Sequence, residues 1–168
     1  MQRRISGFSS EEELVSFMCE PTDEVRNAVE ALNGEILVIG AGGKMGPTLC
    51  NLLIQAGAER VIAASRFTDL DQKNFLESCG VTTIAVDLLD PEAFLNLPRC
   101  PYVFNLAGYK FGAVGNEDLM WAMNAYLPSR IVQYFSESNI VYVSSGNVYA
   151  YASIGSSGSD EKSPLAPI

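Results

Sequence analysis

The sequence predicts an α/β fold built on a doubly wound parallel sheet. From residue 35 onward, short apolar runs rich in β-branched residues alternate with stretches of helical periodicity, and a glycine-rich turn joins the first run to a helix. Strands this uniformly apolar are typical of parallel sheets covered by helices on both faces. The chain has 168 residues, 48% of them apolar, which fits one compact domain.

The same patterns give the individual elements, which alternate as strand–helix–strand units. We expect the crossovers of these units to be right-handed. The apolar runs predict strands at Glu35–Ile39, Arg60–Ala64, Val81–Val86, Tyr102–Leu106 and Ile140–Ser144. The stretches between them predict helices at Lys44–Ala56, Leu70–Ser78, Pro91–Leu97 and Glu117–Ser136, the third short and the fourth long.

Residues 1–34 predict a helical appendage outside this pattern. Ser10 and Glu13 have the spacing of a capping box at the start of a first helix. A second helix is expected over Thr22–Leu32, because its apolar positions recur with the helical period. We therefore divide the chain into this appendage and an α/β domain over residues 35–168.

Composition excludes several classes of function. With 20 acidic and 11 basic residues the net charge is −9, so we expect no nucleic-acid partner and no anionic membrane partner. The chain contains no histidine, which excludes a Ser-His-Asp triad and histidine metal sites, and its four cysteines form no C-x-x-C pair. We therefore expect reduced cysteines and no metal site. No apolar run reaches the ~18 residues of a membrane span, so we also expect a cytoplasmic protein.

The glycine-rich turn predicts a site for a dinucleotide pyrophosphate. A phosphate can approach the backbone closely only where side chains are absent, and the amides at the following helix N-terminus stabilise its charge. The alternative is a turn that needs glycine for its backbone conformation alone. The expected binding segment comprises Gly40, Gly42, Gly43, Lys44, Met45 and Gly46.

Further short motifs follow this turn in a fixed order. They are Ser65-Arg66, Asp87-Leu88, Asn105-Leu-Ala-Gly-Tyr-Lys110, Asn124 and Val143-Ser-Ser-Gly-Asn-Val-Tyr149. Together with the spacing Gly40-x-x-Gly43-x-x-Gly46, the series resembles the NAD-dependent epimerase/dehydratase family of the extended short-chain dehydrogenase/reductase superfamily. The resemblance implies a Rossmann fold that binds NAD or NADP at the carboxyl ends of its strands.

The end of the second predicted strand bears on the choice of cofactor. Family members that bind NAD carry an acidic residue there, whereas this chain has Ser65 followed by Arg66. By resemblance, a small residue beside a guanidinium suits the 2′-phosphate of NADP, which we favour over NAD. A solvated Arg66 and an Arg66 stacked on adenine are the alternatives.

Other motifs are expected, by the same resemblance, to border the cofactor. Asp87 would accept a hydrogen bond from the adenine amino group and Leu88 would pack on the ring, although a helix-capping role also explains Asp87. A solvated Lys110 and a structural hydrogen bond for Asn124 are likewise alternatives. The remaining expected contacts are Leu106, Ala107, Gly108, Tyr109, Lys110 and Asn124.

Ser145 is the predicted catalytic residue. In the family's Ser-Ser-x-x-Val-Tyr pattern the second serine hydrogen-bonds the reacting oxygen while hydride moves to or from the nicotinamide. Ser144 and a purely structural strand-end serine are the alternatives. The family's Tyr-x-x-x-Lys acid/base pair does not occur in these 168 residues. We therefore expect a fragment, truncated before the catalytic helix and substrate region and inactive alone.

Two functions remain open at this point. The first is the NAD(P)-binding portion of an epimerase, dehydratase or reductase that acts on a small molecule of the sugar or nucleotide-sugar type. The second is a non-catalytic dinucleotide-binding sensor or scaffold of the same fold. In a truncated sheet the fifth strand or its neighbour would expose an edge, which predicts self-association. A homo-oligomer is a separate expectation.

Overall fold

The computed structural model describes residues 7–110, 112 and 114–166. Its strands are β1 Ile36–Ile39, β2 Val61–Ser65, β3 Thr82–Ala85, β4 Tyr102–Asn105 and β5 Asn139–Tyr142. They form one parallel sheet in the order β3-β2-β1-β4-β5. From β1 the chain adds β2 and β3 on one side of the sheet and then β4 and β5 on the other, as in Rossmann folds. The predicted doubly wound fold is therefore confirmed.

The helices lie where the periodicity places them, with two differences. They are α1 Glu11–Met18, α2 Asp23–Glu30, α3 Gly46–Gln55, α4 Leu70–Ser78, α5 Glu117–Trp121 and α6 Leu127–Tyr134. A π-helical turn, Ala122–Tyr126, separates α5 from α6, so the predicted long helix is interrupted. The predicted helix Pro91–Leu97 is reduced to a 3-10 turn at Ala93–Asn96. Apolar periodicity does not distinguish these tighter or wider turns from an α-helix.

Helices α1 and α2 pack against α3. The Ser10 hydroxyl accepts a hydrogen bond from the Glu13 amide at 3.2 Å and caps α1 as predicted. The Arg26 guanidinium of α2 donates to the carbonyl of Gln55 at 2.8 Å, at the end of α3. Val29 is buried with residues of β1 and α3. The appendage therefore shares its apolar contacts with one face of the sheet.

The core consists of two apolar layers, one on each face of the sheet. Alternate residues of β1 point to opposite faces, as the strand period requires: Leu37 packs with α6, and Val38 packs with α3. All four residues of β1 are buried because it lies at the centre of the sheet. At the edge, Val141 and Tyr142 of β5 remain 50% and 43% exposed.

The four cysteines are free thiols in this core or at its border. Cys19, Cys50 and Cys100 are buried and Cys79 is partly buried. None of the helices in the described ranges combines the length and apolar character that a bilayer-spanning segment needs. The same residues hold no cluster of three or more side chains suited to a metal ion.

Candidate functional site

A cavity of about 280 Å³ lies at the carboxyl edge of the sheet. The loops after β1, β2, β3 and β4 form its walls, and α5 with the following π turn borders one side. It therefore lies at the reversal of strand order, where open α/β sheets bind ligands. Its lining residues are Gly40, Gly42, Gly43, Ser65, Arg66, Phe67, Thr68, Val86, Asp87, Leu88, Leu89, Leu106, Ala107, Gly108, Tyr109, Leu119 and Met123.

The glycine turn between β1 and α3 requires glycine for two reasons. Gly40 has φ +80°, and a Cβ added there would lie 2.6 Å from the backbone nitrogen of Ala107. A Cβ on Gly46 would collide with the carbonyl group of Ala41. The first glycine thus lets the β1 and β4 loops approach each other, and the second lets α3 start directly beneath the turn.

The N-terminus of α3 is open to a ligand. Its N-cap residue is Met45, and no side chain in the described part of the chain caps the helix. Lys44 and Met45 are exposed on this turn. An uncapped helix N-terminus carries a positive partial charge, which favours the binding of phosphate groups.

The end of β2 and the loop that joins it to α4 supply four consecutive lining residues. Ser65 is partly buried, whereas Arg66 and Thr68 are exposed and Phe67 is buried. Asp69 ends this loop and caps α4, where its carboxylate accepts a hydrogen bond from the Asp71 amide at 2.9 Å. The positive side chain of Arg66 therefore lies at the cavity wall, whereas the carboxylate of Asp69 in the same loop caps α4.

The loop after β3 starts beside the end of β2, where the Val86 amide donates a hydrogen bond to the Ser65 carbonyl at 2.9 Å. One carboxylate oxygen of Asp87 accepts a hydrogen bond from the Leu89 amide at 3.0 Å, a contact within the turn and not a helix cap, since the 3-10 turn that follows begins at Ala93. Leu88 is buried at the cavity wall. The Arg130 guanidinium of α6 donates to the carbonyls of Asp90 and Pro91 at 3.0 and 2.8 Å and so ties this loop to the helix.

The loop after β4 is held from two sides. Asn105 is 1% exposed, and its Oδ1 atom accepts a hydrogen bond from the Ala107 amide at 3.0 Å. Asn124, in the π turn, binds both backbone groups of Tyr109 through its side-chain amide. This is the structural hydrogen bond weighed above for Asn124. The small residues of the loop are thereby fixed at the cavity wall.

Some predicted residues lie outside this wall. Within the described residues, the cavity lining does not include the following predicted contacts: Lys44, Met45, Gly46, Lys110 and Asn124. Ser145 is exposed beyond β5, and its hydroxyl accepts a hydrogen bond from the Asn147 amide at 3.2 Å. Its catalytic role stays a prediction, and the observed contact is the strand-end alternative.

Sequence reasoning missed several lining residues: Phe67, Thr68, Val86, Leu89, Leu119 and Met123. Phe67 and Thr68 directly follow Ser65-Arg66, so extending that motif by two residues would have found them. Leu119 and Met123 come from the helical segment that follows the β4 loop, 9 and 13 positions beyond Lys110, the last residue of that loop's motif. Only the packing of α5 and its π turn against the sheet places them here.

Known proteins share this fold and parts of this sequence. Epimerase Mth375 from Methanothermobacter thermautotrophicus is 27% identical, with a TM-score of 0.66 over 81% of this chain and 43% of that chain. UDP-glucuronic acid 4-epimerase from Bacillus cereus, in complex with NAD, is 20% identical with a TM-score of 0.63 over 80% of this chain and 46% of that one. Among curated proteins, 2-alkyl-3-oxoalkanoate reductase from Shewanella oneidensis is 30% identical over 149 residues, 84% of this chain.

The chain spans about 36% of the length of that reductase and under half of the length of both epimerases. The profile of the NAD dependent epimerase/dehydratase family matches residues 36–168, which include the glycine turn and all the loops of the cavity. The resemblance inferred from the ordered motifs is thus confirmed: this chain belongs to the NAD dependent epimerase/dehydratase family.

Proposed function

We propose that this chain is the NAD(P)-binding portion of an epimerase-, dehydratase- or reductase-like enzyme that acts by hydride transfer on a sugar or nucleotide-sugar substrate. The observation that carries the proposal is the cavity at the reversal of strand order, which is lined by Gly40, Gly42 and Gly43 of the turn that leads into the uncapped α3. Such a site takes a ligand that combines phosphate groups with flat rings.

The residues of the cavity fit a dinucleotide. Gly43 is exposed, and a Cβ placed on it would meet only the Gly40 carbonyl oxygen, at 3.4 Å, so the missing side chain leaves the backbone open to a pyrophosphate. Asp87 and Leu88, in the loop beside the end of β2, would hold the adenine. When bound, the nicotinamide supplies the hydride acceptor or donor.

NADP is the proposed cofactor. Ser65 and Arg66 line the cavity at the end of β2. Proteins that bind NAD carry an acidic side chain at this position, which would repel a 2′-phosphate, whereas a guanidinium attracts it. The Bacillus cereus epimerase binds NAD, as does the enzyme WbmF from Bordetella bronchiseptica. These likenesses, at 20% and 18% identity, support a nicotinamide dinucleotide as the ligand of this chain. The proposed preference for NADP rests on Arg66 alone.

Ser145 is the proposed catalytic hydroxyl. It lies just beyond β5, the strand beside β4, and its side chain is exposed at the carboxyl edge of the sheet. A hydroxyl there would orient a substrate oxygen by hydrogen bonding. No tyrosine of these 168 residues has a lysine four positions later, so we expect the chain by itself to bind cofactor without turnover.

The reductase likeness favours a second substrate class. The Shewanella oneidensis protein is a 2-alkyl-3-oxoalkanoate reductase, and its 30% identity exceeds that of the structurally similar epimerases. Reduction of a ketone by hydride from NADPH uses the same cofactor site. A 3-oxoacid is therefore the second candidate substrate beside a nucleotide sugar.

Calorimetric titration of the chain with NADP and with NAD tests the proposal. We expect binding of both, tighter for NADP, and loss of binding in Gly43→Asp, because a carboxylate would meet the pyrophosphate. Gly80→Asp is the control, since Gly80 is also exposed but lies at the opposite end of the sheet, before β3; its φ of +84° makes the substitution strained, so the variant is expected to lose stability and keep cofactor binding. Equal binding by wild type and Gly43→Asp would refute the site, and a chain that binds neither cofactor would refute the proposal.

A further inference from the structure

Helix α1 contains no buried residue. All eight of its residues are exposed except Val15, which is partly buried. The helix is fixed at its two ends. The Ser10 hydroxyl caps its first turn, and the buried Cys19 that follows its last turn donates from its thiol to the Thr48 carbonyl of α3 at 3.6 Å. Among the described residues, neither apolar layer of the core includes a residue of α1, so its outward face takes no part in the core.

The outward face of α1 is apolar. Leu14, Phe17 and Met18 have the spacing of three and four positions that places side chains on one face of a helix. They are 37%, 37% and 51% exposed, and Phe8, also 37% exposed, lies with its ring centre 5.3 Å from that of Phe17. We call these four residues the α1 stripe. A group of exposed apolar side chains in so short a segment is typical of an interaction surface.

Acidic side chains border the α1 stripe on both sides. Glu11 and Glu13 lie three or four positions before members of the stripe, and the rotation of 100° per residue places them on opposite sides of it. The hydroxyl and the amide of Ser9 donate to the Glu13 carboxylate at 2.6 and 2.8 Å and lower its pKa, so this side chain is charged at neutral pH. Residues 7–34 as a whole carry seven acidic side chains and one basic side chain.

This charge distinguishes among the possible occupants of the α1 stripe. A second copy of the chain would bring the same acidic border against it, and like charges across an interface repel. An anionic membrane would be repelled in the same way. A helix that carries lysines or arginines beside its own apolar face would cover the stripe and pair with both glutamates, as charged residues do along the seam between two packed helices.

We propose that the α1 stripe is the docking surface for a basic amphipathic helix of another protein. The stripe would pack on the apolar face of that helix, and Glu11 and Glu13 would pair with its lysines or arginines. A purely structural role for α1 would turn its large apolar side chains toward α3, whereas α1 turns them outward. The family profile begins at residue 36, so this surface lies outside the matched part of the chain and the inference does not depend on the proposed function.

The test measures binding of a labelled synthetic helix of leucine and lysine, with the two residue types on opposite faces, to the whole chain by fluorescence anisotropy. We expect saturable binding that weakens as the salt concentration rises, and no binding of the same peptide with glutamate in place of lysine. Leu14→Ser/Phe17→Ser should weaken binding by about tenfold or more, because it removes two apolar anchors. Leu95→Ser/Val132→Ser removes two exposed apolar side chains elsewhere, and this matched control should keep the wild-type affinity.

Glu11→Gln/Glu13→Gln tests the acidic border. Glutamine at position 13 still serves in the cap of α1, so the helix is retained. We expect the affinity for the lysine peptide to fall several-fold and its salt dependence to become shallower. Glu92→Gln/Glu137→Gln changes the net charge equally at two exposed glutamates elsewhere and should alter neither. Circular dichroism and titration with NADP check that each variant is folded.

Several results would overturn this inference. One is a wild-type chain that does not bind the lysine peptide, and another is equal affinity in the α1 variants and their controls. A wild-type dimer in sedimentation that Leu14→Ser/Phe17→Ser makes monomeric would give the stripe to a second copy, and binding to phosphatidylglycerol vesicles instead of the peptide would give it to a membrane. Should Leu14→Ser/Phe17→Ser fail to fold, wild-type affinity and salt dependence in Glu11→Gln/Glu13→Gln refute the docking surface. None of these results bears on cofactor binding, which is tested separately.

Discussion

The side-chain amide of Asn124 forms two hydrogen bonds with the backbone of Tyr109. Its Oδ1 atom accepts from the Tyr109 amide at 2.8 Å, and its Nδ2 atom donates to the Tyr109 carbonyl at 2.7 Å. Asn124 lies in the π turn between α5 and α6, a feature that is frequent at functional sites. The pair ties this helical segment to the loop after β4 and so fixes one wall of the cavity.

Replacement of Asn124 by leucine should loosen this wall. Both backbone groups of Tyr109 lose a partner, so we expect the free energy of unfolding to fall by about 1–3 kcal/mol and the affinity for NADP to fall as well. Urea unfolding and calorimetry measure the two effects. Asn74→Leu, on the exposed face of α4, is the control. Unchanged affinity in Asn124→Leu would show that the pair does not shape the site.

Replacement of Arg130 by methionine should release the loop after β3. Arg130 holds the carbonyls of Asp90 and Pro91, and its guanidinium lies 4.6 Å from the centre of the Phe94 ring. We expect a loss of about 1–3 kcal/mol in stability and weaker binding of adenine nucleotides, measured with AMP and NADP. Arg26→Met also removes a guanidinium–carbonyl contact but lies on α2, so it should affect stability alone. Equal AMP affinity in both variants would contradict this role.

Alanine at Gly40 should destabilise the fold more than alanine at Gly80. Both glycines have positive φ, +80° and +84°, so alanine is strained at either position. Only at Gly40 does the added Cβ meet the β4 loop, 2.6 Å from the Ala107 nitrogen, whereas nothing lies within 4 Å at Gly80. We expect about 1 kcal/mol for Gly80→Ala and about 2–4 kcal/mol for Gly40→Ala in denaturant titrations. Equal losses would mean that the two loops do not meet as described.

The stability of the chain should fall at alkaline pH partly through Cys50. Burial, chiefly, and the neighbouring Cys79 raise the pKa of the Cys50 thiol from its ordinary value of 9.0 to about 12. Above pH 9 the unfolded chain releases this proton and the folded chain does not. The stabilisation from the neutral thiol is therefore complete below pH 9 and is lost as the pH rises toward 12, by about 1.4 kcal/mol per pH unit.

Cys50→Ala should make this alkaline loss shallower by that amount. Urea unfolding at pH 8, 9 and 10 measures the slope in both proteins. Leu53→Ala removes a buried side chain from the same helix without removing an ionisable group, so it should lower stability at every pH and keep the wild-type slope. A Cys50→Ala variant with the wild-type slope would show that this thiol does not titrate differently in the two states.

Much of the fold was predictable because its signals are local. The apolar runs predict all five strands to within two residues at each end, and α4 has the predicted bounds, Leu70–Ser78. The glycine turn was equally predictable, since its spacing reflects contacts that exclude side chains. The π turn at Ala122–Tyr126 was not, because it leaves the apolar period of the helix unchanged.

Some residues of the candidate site could likewise be placed from local sequence, and others only from the tertiary structure. Gly40, Ser65, Asp87 and Ala107 could be placed at the cavity from the sequence, since each follows a predicted parallel strand and such strands end at one edge. What Asn124 contacts depends on the approach of two segments 15 residues apart, which no local pattern specifies.

By itself, then, the sequence determined the succession of strands and helices along the chain, the glycine turn and the family. Each of these depends on residues that are close together along the chain. The tertiary structure alone decided that Phe67 turns its ring inward and leaves Arg66 and Thr68 at the cavity wall. That arrangement depends on the left-handed backbone conformation of Phe67, with φ +48°, which costs free energy locally and is offset by burial against distant residues, so only the packed molecule reveals it.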